Sequence, residues 1–199
     1  MTQKIVLASN NKGKVREIGQ LLAGFDKQVL PQSEFDIEEV DETGLTFVEN
    51  AILKARNAAE HSGLAAIADD SGLEVDALKG APGIYSARFA GVGASDEQNL
   101  QKLLADIKDI PEAKRTARFQ CLMVYMQHGT DPTPLICQGT WEGIITFEPQ
   151  GDNGFGYDPV FFVPTHHCTS AQLPAETKNE LSHRGQALRA LVAALGHHQ

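Results

Sequence analysis

Long apolar runs are missing from this chain of 199 residues. No stretch approaches the roughly 20 consecutive apolar residues of a membrane-spanning helix, so no membrane partner is expected. The opening run KIVLAS is too short for the core of a secretion signal. Cysteine is scarce: Cys121, Cys137 and Cys168 are the only three, widely spaced and without a CxxC pair. That pattern reads as reduced thiols in a cytoplasmic protein, not as a disulfide framework. Basic charge is also in deficit, with 17 Lys and Arg against 26 Asp and Glu, a formal charge of −9. Sequence-independent binding to nucleic acid needs clustered cations that displace counterions, and is therefore excluded. An anionic small molecule is not, because a pocket needs only a few placed cations and a metal. There is no GxxxxGK[ST] spacing, no internal repeat, and no Gly-, Ser- or Pro-rich linker to separate independent domains.

What is present is an alternation of apolar strands and amphipathic helices. Hydrophobic residues make up 42% and charged residues 22%, enough apolar content to bury a core. Lys4–Ser9 reads as a buried strand, followed by a polar turn and Val15, Ile18, Leu22 and Phe25 at helical spacing. Acidic residues 34–42 form a loop or edge strand. Thr46 with Glu49 is a capping-box signature that opens an Ala-rich helix through about His61. Residues 65–68 and 73–78 read as two strands around Asp69-Asp70-Ser71-Gly72, and 79–93 as an ordered loop. Ser95 with Gln98 opens a second helix. Residues 115–127 and 135–147 read as long strands, 160–163 as a short one, and 184–195 as a closing helix. The expected class is α/β with a mixed, partly antiparallel sheet.

Six segments carry chemistry-bearing residues. Ser9-Asn10-Asn11-Lys12-Gly13-Lys14 lies between a strand and a helix, where free N–H groups and the helix dipole suit phosphate oxygens; a solvated capping turn would look the same. Asp69 and Asp70 end an apolar strand, where two carboxylates are costly unless a cation offsets them. Strand alternation lets only one of them face a given pocket, with Ser71 as a phosphate hydrogen-bond donor; an Asx-turn leaving the sheet is the structural alternative. The acidic loop ending Glu39-Val40-Asp41-Glu42 supplies candidate ligands for Mg²⁺, which takes hard oxygens from one or two carboxylates; a solvated surface loop would look the same. Lys54 is a cation in an Ala-rich helix, placed for phosphate or for solvent. Phe155, between Gly154 and Gly156 and followed by Tyr157 and Asp158, can stack on a flat base, with Asp158 to accept hydrogen bonds. Lys178, His183 and Arg184 precede or open the last helix, where a guanidinium fork suits a base carbonyl or phosphate. The His166-His167-Cys168 run has no second ligand pair at metal spacing and reads as a surface loop.

The ordered set SNNKGK, EEVDETGxTFxENAxxKA, ADDSGL, GAPGIYSAR, GFGYDP and SHRGxAL resembles the inosine/xanthosine triphosphate pyrophosphatases over about residues 4–195. The resemblance implies two lobes around a central substrate cleft, a homodimer, Mg²⁺ dependence, and hydrolysis of inosine, deoxyinosine and xanthosine triphosphates to monophosphate and pyrophosphate. It puts the general base and metal-binding aspartate on Asp70, the second metal ligand on Glu42, and the neighbouring substrate serine on Ser71. Ser9, Asn10, Asn11, Lys12, Gly13 and Lys14 become phosphate contacts. Phe155, Gly156, Tyr157 and Asp158 become the base loop, with Lys178, His183 and Arg184 completing the substrate site. A pyrophosphatase for another modified nucleotide and a non-catalytic nucleotide sensor are the alternatives.

Overall fold

The computed structural model describes the whole chain except residues 1, 10–14, 16, 17, 20, 21, 23–25, 198 and 199. Asn10, Asn11, Lys12, Gly13 and Lys14, the centre of the expected phosphate segment, therefore lie outside the described residues. The strands are β1 (Gln3–Leu7), β2 (Lys27–Pro31), β3 (Ala65–Val75), β4 (Thr116–Met126), β5 (Leu135–Ile145), β6 (Phe161–Val163) and β7 (Cys168–Thr169). They form a seven-stranded sheet in the order β2-β1-β3-β4-β5-β6-β7. β1 pairs parallel with both β2 and β3, whereas β6 pairs antiparallel with β5 and β7. The fold is α/β with a mixed sheet. Two compact units divide the chain, Met1–Asp70 with Cys121–Gln138 and Ala187–Gln199, and Ser71–Gln120 with Gly139–Gln186.

In the first unit Ile5–Leu7 of β1 and Ala65–Asp70 of β3 are buried on both faces, as parallel strands require. Odd positions Ile5, Leu7, Ala65 and Ile67 pack with Cys121, Met123, Ile18, Leu22 and Leu188. Even positions face the other way, with Val6 and Ala66 on Ala58 and Ala59, and Ala68 on Ala51 and Ala55. These alanines belong to helix α1 (Phe47–Ser62), whose N-terminal Thr46 hydroxyl accepts from the Glu49 N–H and whose end is closed by Gly63 at φ 67°. Methyl groups on both surfaces let helix and sheet approach closely. That closeness matters for Asp70, which follows Ala66 and Ala68 on the same face.

The second unit is built on Leu73, Val75, Phe119, Trp141 and Phe161, covered by Leu100 and Leu103 of helix α2 (Asp96–Asp106). Ser95 and Gln98 make the reciprocal capping box expected for this helix. Arg115, 1% exposed, donates to the carbonyls of Ile107, Ile110 and Thr146 and lies under the Phe147 ring. Its donors are thus satisfied by backbone at the α2 terminus. Two further helices, α3 (Ala175–Leu181) and α4 (His183–His197), follow β7; the boundary between the units falls within α4.

The structure departs from the sequence pattern at one instructive place. The two strands read on either side of Asp69–Gly72 are a single eleven-residue strand, β3. No Asx-turn forms, because Asp70 finds side-chain partners without leaving the extended backbone. β2, β7 and α3 were not legible, being too short for a periodic signal. The alanine interface yields a test: Ala55→Leu adds volume where α1 meets β3 and should lower stability by about 1–3 kcal/mol in urea unfolding.

Candidate active site

Asp70 ends the first segment of the first unit and is 9% exposed. Asn50 and Lys54 lie four positions apart on α1 and so share a face. Lys54 Nζ donates to Asp70 Oδ1 at 3.0 Å and to Glu42 Oε1 at 2.8 Å. Asn50 Nδ2 donates to Asp70 Oδ2 at 3.3 Å. One ammonium therefore bridges the two carboxylates that the sequence pattern singled out as metal ligands. Asn50, wholly buried, was not anticipated; its signal is an amide one helical turn before Lys54 on an alanine face. Its Oδ1 also accepts the Gly44 N–H at 2.8 Å, which ties the acidic loop to the aspartate. A Cβ on Gly44 would lie 2.6 Å from Glu49 Cβ and 2.7 Å from Asn50 Oδ1, so only glycine permits this approach.

Electrostatics follow from this packing. Burial raises the Asp70 pKa and the Glu42 charge adds to it; the Lys54 ammonium and the Asn50 amide pull it down, and the net is a rise from the ordinary value. For Lys54 burial disfavours the charged form, but Asp70 and Glu42 outweigh it and the pKa is raised. An isolated ion pair would depress the carboxylate. Here two carboxylates share one ammonium, so the pair retains an appetite for further positive charge. Beside them a cavity of about 320 Å³ is lined by Ser9, Glu39, Glu42, Lys54 and Asp69 among others. The carboxylates of Asp70 and Glu42 fit Mg²⁺, which completes its shell with water and phosphate oxygens. Among the described residues, no three His, Cys, Asp or Glu side chains are gathered as a metal site. His166 and His167 are exposed, and His166 Nδ1 meets the Thr165 hydroxyl.

A second cluster lies in the other unit. The Gly154–Asp158 loop holds Phe155 with its ring 64% exposed. Lys178 Nζ sits 5.0 Å and the Arg184 guanidinium 5.9 Å from the ring centre. Asp158, 3% exposed, accepts from the Phe155 N–H at 2.9 Å and the Ser170 hydroxyl at 2.8 Å, and pairs with Lys178. A Cβ on Gly154, at φ 82°, would lie 2.1 Å from Asp158 Oδ2. The structure thus brings Phe155, Gly156, Asp158, Lys178 and Arg184 together. Tyr157 is 4% exposed, with its hydroxyl donating to the Ser86 carbonyl at 2.8 Å. The His183 ring stacks on Phe119 at 4.8 Å between centroids. Ser71 is half-buried in β3.

Compared with known proteins, residues 5–194 match the model of the Ham1 family. The chain belongs to the Ham1 family. A dITP/XTP pyrophosphatase of Vibrio parahaemolyticus is 63% identical to this Ham1 chain over 193 residues, covering 97% of it and 96% of the relative. One of Escherichia coli O157:H7 is 58% identical, covering 97% and 98%. Among solved structures, a HAM1 protein of Coxiella burnetii superposes with TM-score 0.95 at 49% identity, covering 98% of this chain and 99% of that one. A nucleoside-triphosphatase, also described as a dITP/XTP pyrophosphatase, of Mycobacterium abscessus gives TM-score 0.82 at 41% identity, covering 95% and 98%.

The bridging ammonium makes a pH-dependent prediction. Because the folded Asp70 pKa is raised, its contribution to stability is fully present below the unfolded value and is lost as pH rises through the folded one. Lys54→Met removes the opposing charge, so that loss should deepen and extend to higher pH. Urea midpoints from pH 4 to pH 7.5 should show the variant close to the parent at the acid end and falling behind towards neutrality.

Proposed function

We propose that this Ham1 chain is a Mg²⁺-dependent nucleoside-triphosphate pyrophosphatase acting on deaminated purine nucleotides: dITP, ITP and XTP. The observation that carries the reading is the pair of carboxylates, Asp70 and Glu42, sharing the Lys54 ammonium at 3.0 and 2.8 Å. Support for the substrate class comes from the pyrophosphatase relatives at 58–63% identity. In this reading Asp70 and Glu42 hold the cation, which when bound offsets phosphate charge and orients the α-phosphate. Asp70 accepts the proton of the attacking water as the new bond to the α-phosphorus forms and the bond to the bridging oxygen breaks. Lys54 offsets charge on the departing pyrophosphate. Lys12 and Lys14 join it on the sequence pattern alone.

Base recognition is assigned to the second cluster, with Phe155 as stacking platform and Arg184 as donor to the 6-carbonyl of hypoxanthine or xanthine. Adenine offers an amino donor at that atom, and two facing buried donors are heavily penalised. The reading includes a homodimer in the cytoplasm; the three free cysteines agree with a reducing compartment, and light scattering of the purified chain should give twice its 21.5 kDa.

Pyrophosphate release from a nucleotide panel, with and without Mg²⁺, tests the assignment. Asp70→Asn should lower kcat by about 10²–10⁴-fold with little change in KM. Glu42→Gln should raise the Mg²⁺ concentration needed for half-maximal rate. An Asp70→Asn enzyme retaining most of its kcat at saturating Mg²⁺ would remove Asp70 as the base. Unchanged preference for ITP over ATP in Arg184→Ala would remove Arg184 from base selection.

A further inference from the structure

Both peptide N–H groups that flank Phe155 end on carboxylates. Its own N–H donates to Asp158 Oδ2 at 2.9 Å, within the loop. The following N–H, of Gly156, donates to Asp96 Oδ2 at 2.8 Å, sixty residues away in sequence. Asp96 is the first residue of α2. An acid there ordinarily serves its own helix by facing the free N–H groups of the first turn. In this chain the Gln98 and Ser95 N–H groups are taken by the Ser95–Gln98 capping box, and the Asp96 carboxylate reaches outside its helix. The Asp96 carboxylate is thereby committed to a different segment.

The geometry points to Asp96 as a positioning residue for the base platform: it fixes the peptide after Phe155 and so sets the direction in which the exposed ring is presented. This inference rests on the reading of Phe155 as the stacking platform. Three observations carry it. Gly156 adopts φ 60° and Gly154 φ 82°, conformations that L side chains rarely adopt. A loop of two such glycines has many alternative conformations open to it, so external hydrogen bonds must select one. Phe155 is 64% exposed and its ring meets Lys178 and Arg184 at 5.0 and 5.9 Å, so its direction depends on the backbone as well as on these cations. On the other side the Tyr157 hydroxyl is anchored to the Ser86 carbonyl, and Ser86 Oγ accepts the Leu73 N–H at 2.9 Å. Phe155 is held at its N–H by Asp158 Oδ2 and at its carbonyl by the Asp158 N–H at 3.3 Å, and Tyr157 by its hydroxyl; the Gly156–Asp96 bond is the restraint on this loop that comes from α2. The charge of Asp96 also contributes, after burial, to raising the Tyr157 pKa, which keeps that hydroxyl a donor.

The test is steady-state kinetics of the full-length enzyme with dITP, combined with hydrogen exchange at the Gly156 amide. Asp96→Ala removes the acceptor and should raise KM about tenfold, the loss expected for one charge-assisted hydrogen bond, with kcat within about twofold and faster Gly156 exchange. Asp96→Asn keeps an oxygen acceptor and should recover most of both. In a double-mutant cycle, Asp96→Ala should add nothing to Phe155→Ala, since it acts through that ring. If Phe155→Ala raises KM but Asp96→Ala does not, the Asp96 inference fails alone. Should Phe155→Ala leave KM unchanged, the platform reading itself fails. Asp96→Ala and Asp96→Asn losing kcat and KM alike, with additive effects on Phe155→Ala, would reduce Asp96 to a structural acid and overturn the inference.

Discussion

A single half-buried ammonium, Lys54 Nζ between Asp70 and Glu42, is the interaction on which this molecule's candidate chemistry rests. Two carboxylates brought this close repel, and burial raises the cost of ionising either. Lys54 makes their coexistence possible in the ligand-free chain. The charge sum of the three groups is nevertheless −1, which leaves room for a cation and for the phosphates it would accompany. The arrangement is tolerant of ligand exchange rather than closed upon itself. That is what a carboxylate site must be if phosphate oxygens and water are to enter it.

The packing beneath explains how Lys54 gets there. Ala51, Ala55, Ala58 and Ala59 of α1 cluster with Ala66 and Ala68 of β3. Asp70 continues the face of Ala66 and Ala68, so the helix that rests on those alanines also supplies Asn50 and Lys54 to the carboxylate. Asn50 then links Asp70 to Gly44 and the acidic loop that carries Glu42. Fold stability and site geometry draw on the same close contact. A larger residue there would disturb both, through one mechanical cause.

The second unit solves a different problem. An aromatic platform must be exposed to meet a flat ligand, yet an exposed ring on a glycine loop has no packing to hold it. Asp158 takes the Phe155 N–H, Ser170 and Lys178, acting as a hub within the loop and its neighbours. Asp96 and Ser86 hold the two following residues from outside. The conformation is thus specified by hydrogen bonds to charged and backbone acceptors, in a place where the hydrophobic effect cannot act.

Much of this was legible from the sequence. Periodicity and capping residues give α1, α2, β4, β5 and the last helix within a residue or two, because those signals are local. Family motifs single out Asp70, Glu42, Lys54, Phe155, Asp158, Lys178 and Arg184. The chain alone does not reveal that Asp69–Gly72 stays extended, since a DDSG run is a turn unless partners elsewhere reward the strand. Nor does it reveal why Asp70 differs from Asp69; that follows from which face of β3 meets α1. Asn50 and Asp96 escaped notice for a related reason. A buried amide on an alanine face and an acid at a helix start are ordinary in sequence, and only their long-range partners make them otherwise. Local physics determined the elements and the residue types available for chemistry. Tertiary structure decided which of those residues share a hydrogen bond or a charge, because partners distant along the chain meet only once it has folded.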